Sequence, residues 1–248
     1  MNPALRQTLA QLVAPVLLCL SLLPQAVQAA GIRGSGRSAT ETRTVGEFQA
    51  IRLNGSMDLH VRQGATPSVQ VQADDNLLPL LETVLESTPN GPTLDLRWKK
   101  GTGIYTRSKV LVTVVTPKLT ALTASGSGDI QVEAFNTPAL KLSISGSGDA
   151  RFNGLNTEDL GISIAGSGDV GGSGSATRMT VNIAGSGDVR LAGMKADEVS
   201  VTIAGSGDAV VNANKSLDVR IAGSGDVSYT GNASVKSKVA GSGSVSKR

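Results

Sequence analysis

A four-residue turn sequence recurs through the second half of this 248-residue chain. Six copies read Gly-Ser-Gly-Asp and a seventh ends in Ser; they begin at Gly126, Gly146, Gly166, Gly185, Gly205, Gly223 and Gly241. The intervals are 20, 20, 19, 20, 18 and 18 residues. A unit repeated at this period is typical of a solenoid, in which each repeat packs on its neighbours.

Apolar and polar residues alternate on both sides of every turn. Two positions before the first Gly stand Ala124, Ile144, Ile164, Ile183, Ile203, Ile221 and Val239, and one position after the Asp stand Ile130, Ala150, Val170, Val189, Ala209 and Val227. Such period-two patterning indicates strands with one buried face. The sequence therefore predicts an all-β fold: a right-handed parallel β-helix with two-sheet rungs of about 20 residues, regular over residues 119–248.

Composition agrees with stacked rungs. The chain has 30 Gly and only six aromatic residues. Aliphatic columns can fill a stacked core without large aromatic side chains. At the corner of each rung the chain must reverse within a few residues, and Gly accepts the positive φ that this requires. We expect such a φ at Gly187, and we expect the Asp of each turn to accept local backbone N–H bonds.

Stacking would bring six aspartates into one row: Asp129, Asp149, Asp169, Asp188, Asp208 and Asp226. Two unit charges about 4.8 Å apart in water repel by roughly 0.9 kcal/mol, a cost that a cation along the row would relieve. These residues are thus the candidates for weak Ca²⁺ binding, although no metal ligand or cofactor is assigned. The known nine-residue calcium repeat has half this period.

Catalytic chemistry finds little support. Paired acids that cleave glycosidic bonds need contrasting environments, whereas a repeated edge gives every Asp the same one. The single histidine, His60, is expected to face solvent on a strand, and the chain lacks the usual zinc ligands and a phosphate-binding Gly-rich loop. We predict that the protein is not an enzyme. A polysaccharide-active β-helix stays an alternative, as does a calcium-binding structural module.

The amino terminus resembles a secretory signal peptide. Residues 1–29 contain Arg6, an apolar run from Leu12 to Leu23 that includes Cys19, and a small-residue stretch ending at Ala29. Cleavage there would export the protein, remove the only thiol and leave no transmembrane segment. Removing Arg6 leaves 22 basic against 20 acidic side chains, so a nucleic-acid partner is not expected.

The mature chain before the repeats is less regular. Residues 30–43 are expected to be a flexible amino terminus, and residues 44–248 one domain. Asn54 to Asp58 reads as a diluted version of the later turn. Residues 76–87 have the spacing of a short helix interrupted at Pro79. The helix would bury one face, formed by Leu77, Leu80, Leu81 and Leu85. It would lie either as a cap on the open end of the stack or as a side insertion.

Three segments in order, "VRQG" from Val61, "DDNLLPLLET" and "VLVTVVTPKLTALTASGSGDI", precede the turn series. Together they resemble the family described as putative auto-transporter adhesin, head GIN domain, over roughly Thr44 to Val245. The resemblance implies a right-handed two-sheet β-superhelix related in shape to pectin lyases without their catalytic residues. It also implies export by a Gram-negative bacterium and a role in cell adhesion.

The leading functional prediction is a non-enzymatic envelope or surface protein that acts as a binding or adhesion module. Its location would be the periplasm, the outer membrane or the cell surface, and its macromolecular partner is unknown, with a second copy of the chain left open. The residue just before each turn is small in every copy: Ser125, Ser145, Ala165, Ala184, Ala204, Ala222 and Ala240. If these residues face outward, they form a smooth strip on which a partner or a second copy can pack closely. The alternative is that they are small only because they pack tightly against their own turn.

Overall fold

The computed structural model describes residues 31–89 and 91–248. The predicted signal peptide and Cys19 lie outside the described residues, so export by cleavage stays a prediction. Within the described part of the chain, no helix combines the length and the hydropathy needed to cross a membrane.

The described chain is almost entirely β-structure, with one 3-10 turn at Leu78–Leu80. The strands before the regular repeats are β1 Ile32–Arg33, β2 Ser38–Arg43, β3 Ala50–Gly55, β4 Asp58–Gln63, β5 Ser68–Asp74, β6 Leu81–Thr88, β7 Gly91–Trp98, β8 Ile104–Tyr105 and β9 Leu111–Thr116. Those of the repeats are β10 Ala121–Gly126, β11 Ile130–Glu133, β12 Asn136–Gly146, β13 Ala150–Gly166, β14 Val170–Gly185, β15 Val189–Gly205, β16 Ala209–Gly223, β17 Val227–Thr230, β18 Ser234–Gly241 and β19 Val245–Lys247.

The repeats stack as parallel coils that form a β-solenoid. Strands β10, β12, β13, β14, β15, β16 and β18 pair in this order, and the first Gly of each turn lies opposite the first Gly of the next. The predicted β-solenoid is confirmed. The segments that lead from one turn to the next also belong to the strands: Asn156 pairs with Ser175 after a register shift between Asn153 and Leu155.

The aliphatic columns form one continuous core. The five isoleucines that precede the turns, Ile144, Ile164, Ile183, Ile203 and Ile221, are 1–2% exposed. Burying one such side chain contributes roughly 1.5–3 kcal/mol, and a parallel stack repeats that contribution in every coil. Val239, in the last described coil, is 40% exposed. Hydrophobic burial along the columns therefore accounts for coils that are too small to fold singly.

The less regular first half supplies the first coil and its cover. Strand β3 pairs with β10 so that Gly55 lies opposite Gly126, and β4 pairs with β11. Asn54 to Asp58 is thus a turn of the solenoid, as predicted. Beyond this coil, β7 and β9 add parallel strands, and antiparallel strands β6, β5 and β2 follow them. These strands cover the backbone edges of the first coil, which would otherwise invite association.

Two expectations for this half are wrong. The predicted helix over residues 76–87 is a single 3-10 turn followed by β6, and Leu85 is 42% exposed. Pairing with β7 over eight residues outweighs the helical spacing of the leucines. The amino-terminal stretch that was expected to be flexible contains β2, which pairs antiparallel with β5 from Ser38 to Arg43.

Candidate functional site

The turns lie above one another along one edge of the solenoid. We call this surface the turn edge: the four columns formed by the residue before each turn, the first Gly, the Ser, and the Asp, in the copies beginning at Gly126 to Gly241. The ladder pairing extends into the turn, since each Ser N–H from Ser147 onward donates to the first Gly carbonyl of the preceding coil at 2.9–3.0 Å. The columns are consequently evenly spaced from coil to coil.

Both glycines of the turn are required, for different reasons. The first Gly of every copy has φ between 131° and 142°. A Cβ on Gly185 would also lie 2.2 Å from the carbonyl oxygen of Gly166 in the neighbouring coil. Gly187 does not have the positive φ that was predicted. Gly187 is required because its Cα lies close to the backbone of the preceding coil. A Cβ there would lie 2.2 Å from the carbonyl oxygen of Gly168.

The six predicted aspartates are brought together as a hydrogen-bonded ladder. Oδ1 of each Asp accepts the backbone N–H of the next Asp along the row, at 2.8–3.0 Å. The ladder begins at Asp58, which accepts from Asp129, and ends where Ser244 donates to Asp226. Sequence reasoning expected bonds within each turn and did not find these bonds between coils. The sequence signal for them is that the diluted turn also ends in an aspartate, Asp58, although that turn is not identical to the later copies.

The second carboxylate oxygen of some aspartates binds a cation of the protein. Arg190 lies 2.6 Å from Oδ2 of Asp169 and 2.7 Å from Oδ2 of Asp188. Lys109 lies 3.0 Å from Oδ2 of Asp58. Partial burial raises the pKa of Asp169, but hydrogen bonds from Arg190 and from the Asp188 N–H outweigh it, so the pKa is lowered. Charge repulsion along the row is therefore partly relieved by side chains of the protein.

Within residues 31–89 and 91–248 no group of three or more His, Cys, Asp or Glu side chains is placed to hold a metal ion. The aspartate row fits this finding, because one carboxylate oxygen of every Asp in it accepts a backbone hydrogen bond from the following coil. The Ca²⁺ site hypothesised for the row gains no structural support and stays a prediction.

We expect the folded state to lose stability in acid. The pKa values of Asp74, Asp159 and Asp169 are lowered, the first two mainly by hydrogen bonds from Ser108 and Arg178 respectively. A carboxyl group with a lowered pKa stabilises the fold fully above its ordinary pKa of 3.8, and this stabilisation is lost as the pH falls towards the folded value. Urea unfolding at about pH 7 and about pH 3 measures the loss, and Asp169→Asn should reduce it. Greater stability at the lower pH would contradict this assignment.

A groove of about 490 Å³ runs beside the aspartate row. Its lining includes Asp129, Asp149, Arg151 and His60. Nε2 of His60 lies 3.0 Å from a Glu133 oxygen but outside hydrogen-bond geometry, and its side chain is only 17% exposed, less than expected. Asp129 and Asp149 have the same role in the ladder, so these two carboxylates do not form a pair of one acid and one base in contrasting environments.

The small residues before each turn face outward, as the binding hypothesis requires. All seven, Ser125, Ser145, Ala165, Ala184, Ala204, Ala222 and Ala240, are exposed. The neighbouring Gly and Ser columns also carry no larger side chain. Seven coils spaced about 4.8 Å apart give this part of the turn edge a length of roughly 29 Å. The result is a continuous strip of surface that carries only small side chains.

A family model and several solved structures are similar to this chain. A family model described as putative auto-transporter adhesin, head GIN domain, matches residues 47–233. A crystal structure of a putative adhesin from Bacteroides fragilis is similar, with 25% identity, a TM-score of 0.82, and coverage of 88% of this chain and 100% of that one.

Two further crystal structures share 26% identity and a TM-score of 0.70, covering 88% of this chain and 99% of theirs. One is a putative adhesin from Parabacteroides merdae, and the other is a putative lipid binding protein from Parabacteroides distasonis. No curated protein matches this chain.

Proposed function

Because the chain belongs to the family of putative auto-transporter adhesins with a head GIN domain, we propose that it is an exported, non-enzymatic binding module. It holds a macromolecule against the turn edge, at the envelope or surface of a Gram-negative cell. The observation that carries this proposal is the exposed strip of small residues along seven coils. A partner's backbone can approach such a strip closely over its whole length, which gives a long contact without side-chain rearrangement.

Rigidity of the strip supports a binding role. Backbone bonds join each turn to the next, and the aspartate ladder adds one further bond per coil. A surface already held in its bound shape loses little conformational entropy on association. The same pattern in every coil also means that affinity can build up from many equivalent weak contacts.

The non-enzymatic assignment rests on the use of the polar groups. Each Asp of the row contributes an oxygen to the ladder, and Arg190 is engaged by two of them. These groups contribute to the stability of the stacked coils. The similar structures from Bacteroides fragilis and Parabacteroides merdae carry adhesin names, which supports binding rather than turnover as the role. Export and surface location are supported by the family's adhesin-like character.

A bulky side chain in the strip tests the proposal. Ala204→Trp places an indole across the strip, and we expect it to reduce binding of the purified protein to envelope fractions of the producing cells by tenfold or more, on the order expected for a blocked interface centre. Ala192→Trp is the matched control, because Ala192 is an exposed alanine of the same strand, β15, outside the turn edge.

Both variants should keep the melting midpoint of the parent protein, since both positions are exposed. Equal binding by the two variants would refute the turn edge as the contact surface. A loss of self-association in Ala204→Trp, measured by light scattering, would identify the partner as a second copy of the chain.

A further inference from the structure

We propose that a basic lobe docks onto the anionic phospholipid headgroups of a membrane. The lobe lies at the capped end of the solenoid, which is the end that strands β2, β5 and β6 cover. The basic lobe consists of residues 31–37 and 99–109. It lies outside the turn edge, so the inference goes beyond the proposed function and can fail separately from it. The proposal rests on the pairing of the two segments, on their unbalanced charge and on an exposed aromatic side chain.

The two segments of the lobe form a small amphipathic ribbon. Strands β1 and β8 pair in parallel, with Ile32 opposite Ile104 and Arg33 opposite Tyr105. The two isoleucines pack against the hydrophobic core. Side chains alternate along a strand, so Arg33 and Tyr105 occupy the other face of the ribbon. Together with Arg107 they line an open surface depression of about 780 Å³.

The charge of the lobe is unbalanced. Residues 99–109 contain four basic residues and residues 31–37 contain two, and neither segment contains an acidic residue. Arg37 and Lys109 pair with carboxylates at 2.8 and 3.0 Å. No ion pair within the described residues engages the four others: Arg33, Lys99, Lys100 and Arg107. All four are exposed, so their charge is available to an anionic partner.

Neighbouring carboxylates are already committed. Asp74 is 1% exposed and accepts hydrogen bonds of 2.6 Å from Thr106 and Ser108, which fasten the second segment of the lobe. Asp75 binds Arg37. Asn76 accepts from the Ser35 N–H at 2.9 Å and donates to the Arg33 carbonyl at 2.8 Å, which fastens the first segment. Both segments of the lobe are therefore fastened to residues 74–76 by hydrogen bonds.

The aromatic residue indicates which anion the lobe contacts. Tyr105 is 67% exposed, the largest value among the exposed large hydrophobic residues of the described chain. Tyrosine among cations is well suited to the headgroup region of a bilayer, where its ring is partly dehydrated and its hydroxyl stays wet. A rod-like polyanion lying along the solenoid would meet the aspartate row, whereas a flat membrane can contact the capped end alone. These features favour a membrane surface.

Vesicle binding tests the proposal. The probe is a set of vesicles containing equal parts of phosphatidylglycerol and phosphatidylcholine, with pure phosphatidylcholine vesicles for comparison. The exported form of the protein is used, with its amino terminus established by mass spectrometry, so that residues 1–29 do not insert into the bilayer. We expect binding to the anionic vesicles only, and weaker binding as salt is added.

The variant Lys99→Ser/Lys100→Ser should bind the anionic vesicles about 25-fold more weakly, because each basic side chain near such a surface strengthens binding about fivefold. The matched control is Lys236→Ser/Lys238→Ser, which removes the same charge from an exposed pair in β18, in the last coil. The control should stay within about twofold of the parent protein. Tyr105→Ser should weaken binding without changing its dependence on salt.

Three results would overturn the inference: no binding to anionic vesicles at low salt, equal binding to the two kinds of vesicle, or equal losses in the two double-lysine variants. None of these results bears on the turn edge. The Ala204→Trp experiment on envelope fractions tests that surface by itself.

Discussion

Replacing Gly185 by alanine is expected to destabilise the solenoid by about 4 kcal/mol or more, the largest effect expected for a single substitution here. Its φ of 136° is one that residues with a Cβ rarely adopt. The new Cβ would lie 2.2 Å from the Gly166 oxygen and 3.2 Å from the Gly166 nitrogen. Those atoms belong to the backbone of the preceding coil and cannot move aside without breaking the ladder.

The matched control for this experiment is Gly161→Ala in β13. A Cβ on Gly161 would meet only Lys141 Cγ, at 3.9 Å, and its φ lies outside the positive region. Alanine there should be neutral or stabilising by about 0.5 kcal/mol, because it restricts the unfolded chain. Urea unfolding followed by circular dichroism compares the two. Similar stabilities for the two variants would show that the turn glycines tolerate a side chain and that the stacking geometry is wrong.

The repeat itself is sufficient to predict the solenoid. Aliphatic residues such as Ile164 and Ile183 recur at a fixed place relative to the turn, and stacking is the arrangement that buries them all. The same columns predict which residues face outward, and Ala165 and Ala184 do so. Periodicity determines which face each side chain occupies, so this part of the candidate site could be predicted from the sequence alone.

Contacts between coils are less accessible to sequence reasoning. The ladder bond from the Asp188 N–H to Asp169 joins residues of different repeats, and a turn considered by itself offers an equally good local acceptor. The constraint on Gly187 also comes from another repeat: it is set by the backbone of Gly168 in the preceding coil and not by the φ of Gly187. Single-repeat reasoning identifies the correct residues and assigns them the wrong cause.

The irregular half was harder to predict. Leu77, Leu81 and Leu85 have helical spacing, and only the pairing of β6 with β7 decides the outcome. The basic lobe depends on Ile32 lying beside Ile104, a contact between segments far apart in the chain. No local pattern fixes such a pairing, because the energy that selects it comes from tertiary packing.

The turn edge connects stability with binding. Close approach of the coils requires glycine, and glycine also leaves the outer surface without side chains. The aspartate ladder then holds that surface in line, with Arg190 bridging two of its members. A substitution that loosens the stacking should therefore weaken both folding and partner binding, whereas Ala204→Trp should affect binding alone.

Replacing Phe152 by alanine is expected to cost about 4 kcal/mol. Phe152 is fully buried and stands in an inward column that is otherwise mostly aliphatic. Its neighbour in the next coil is Gly172, whose Cβ, if present, would lie 2.8 Å from Phe152 Cβ and 2.5 Å from its carbonyl oxygen. One large and one minimal residue thus share the column, and removing the ring leaves a cavity that the rigid coils cannot close.

Phe152→Leu is the control, because it keeps most of the buried volume and should cost less than about 1.5 kcal/mol. Urea unfolding of both variants gives the difference, and a crystal structure of Phe152→Ala would show the cavity beside Gly172. If the alanine variant were as stable as the leucine variant, the coils would have to collapse around the missing ring. The ladder of parallel strands, which fixes the spacing of neighbouring coils at about 4.8 Å, opposes that collapse.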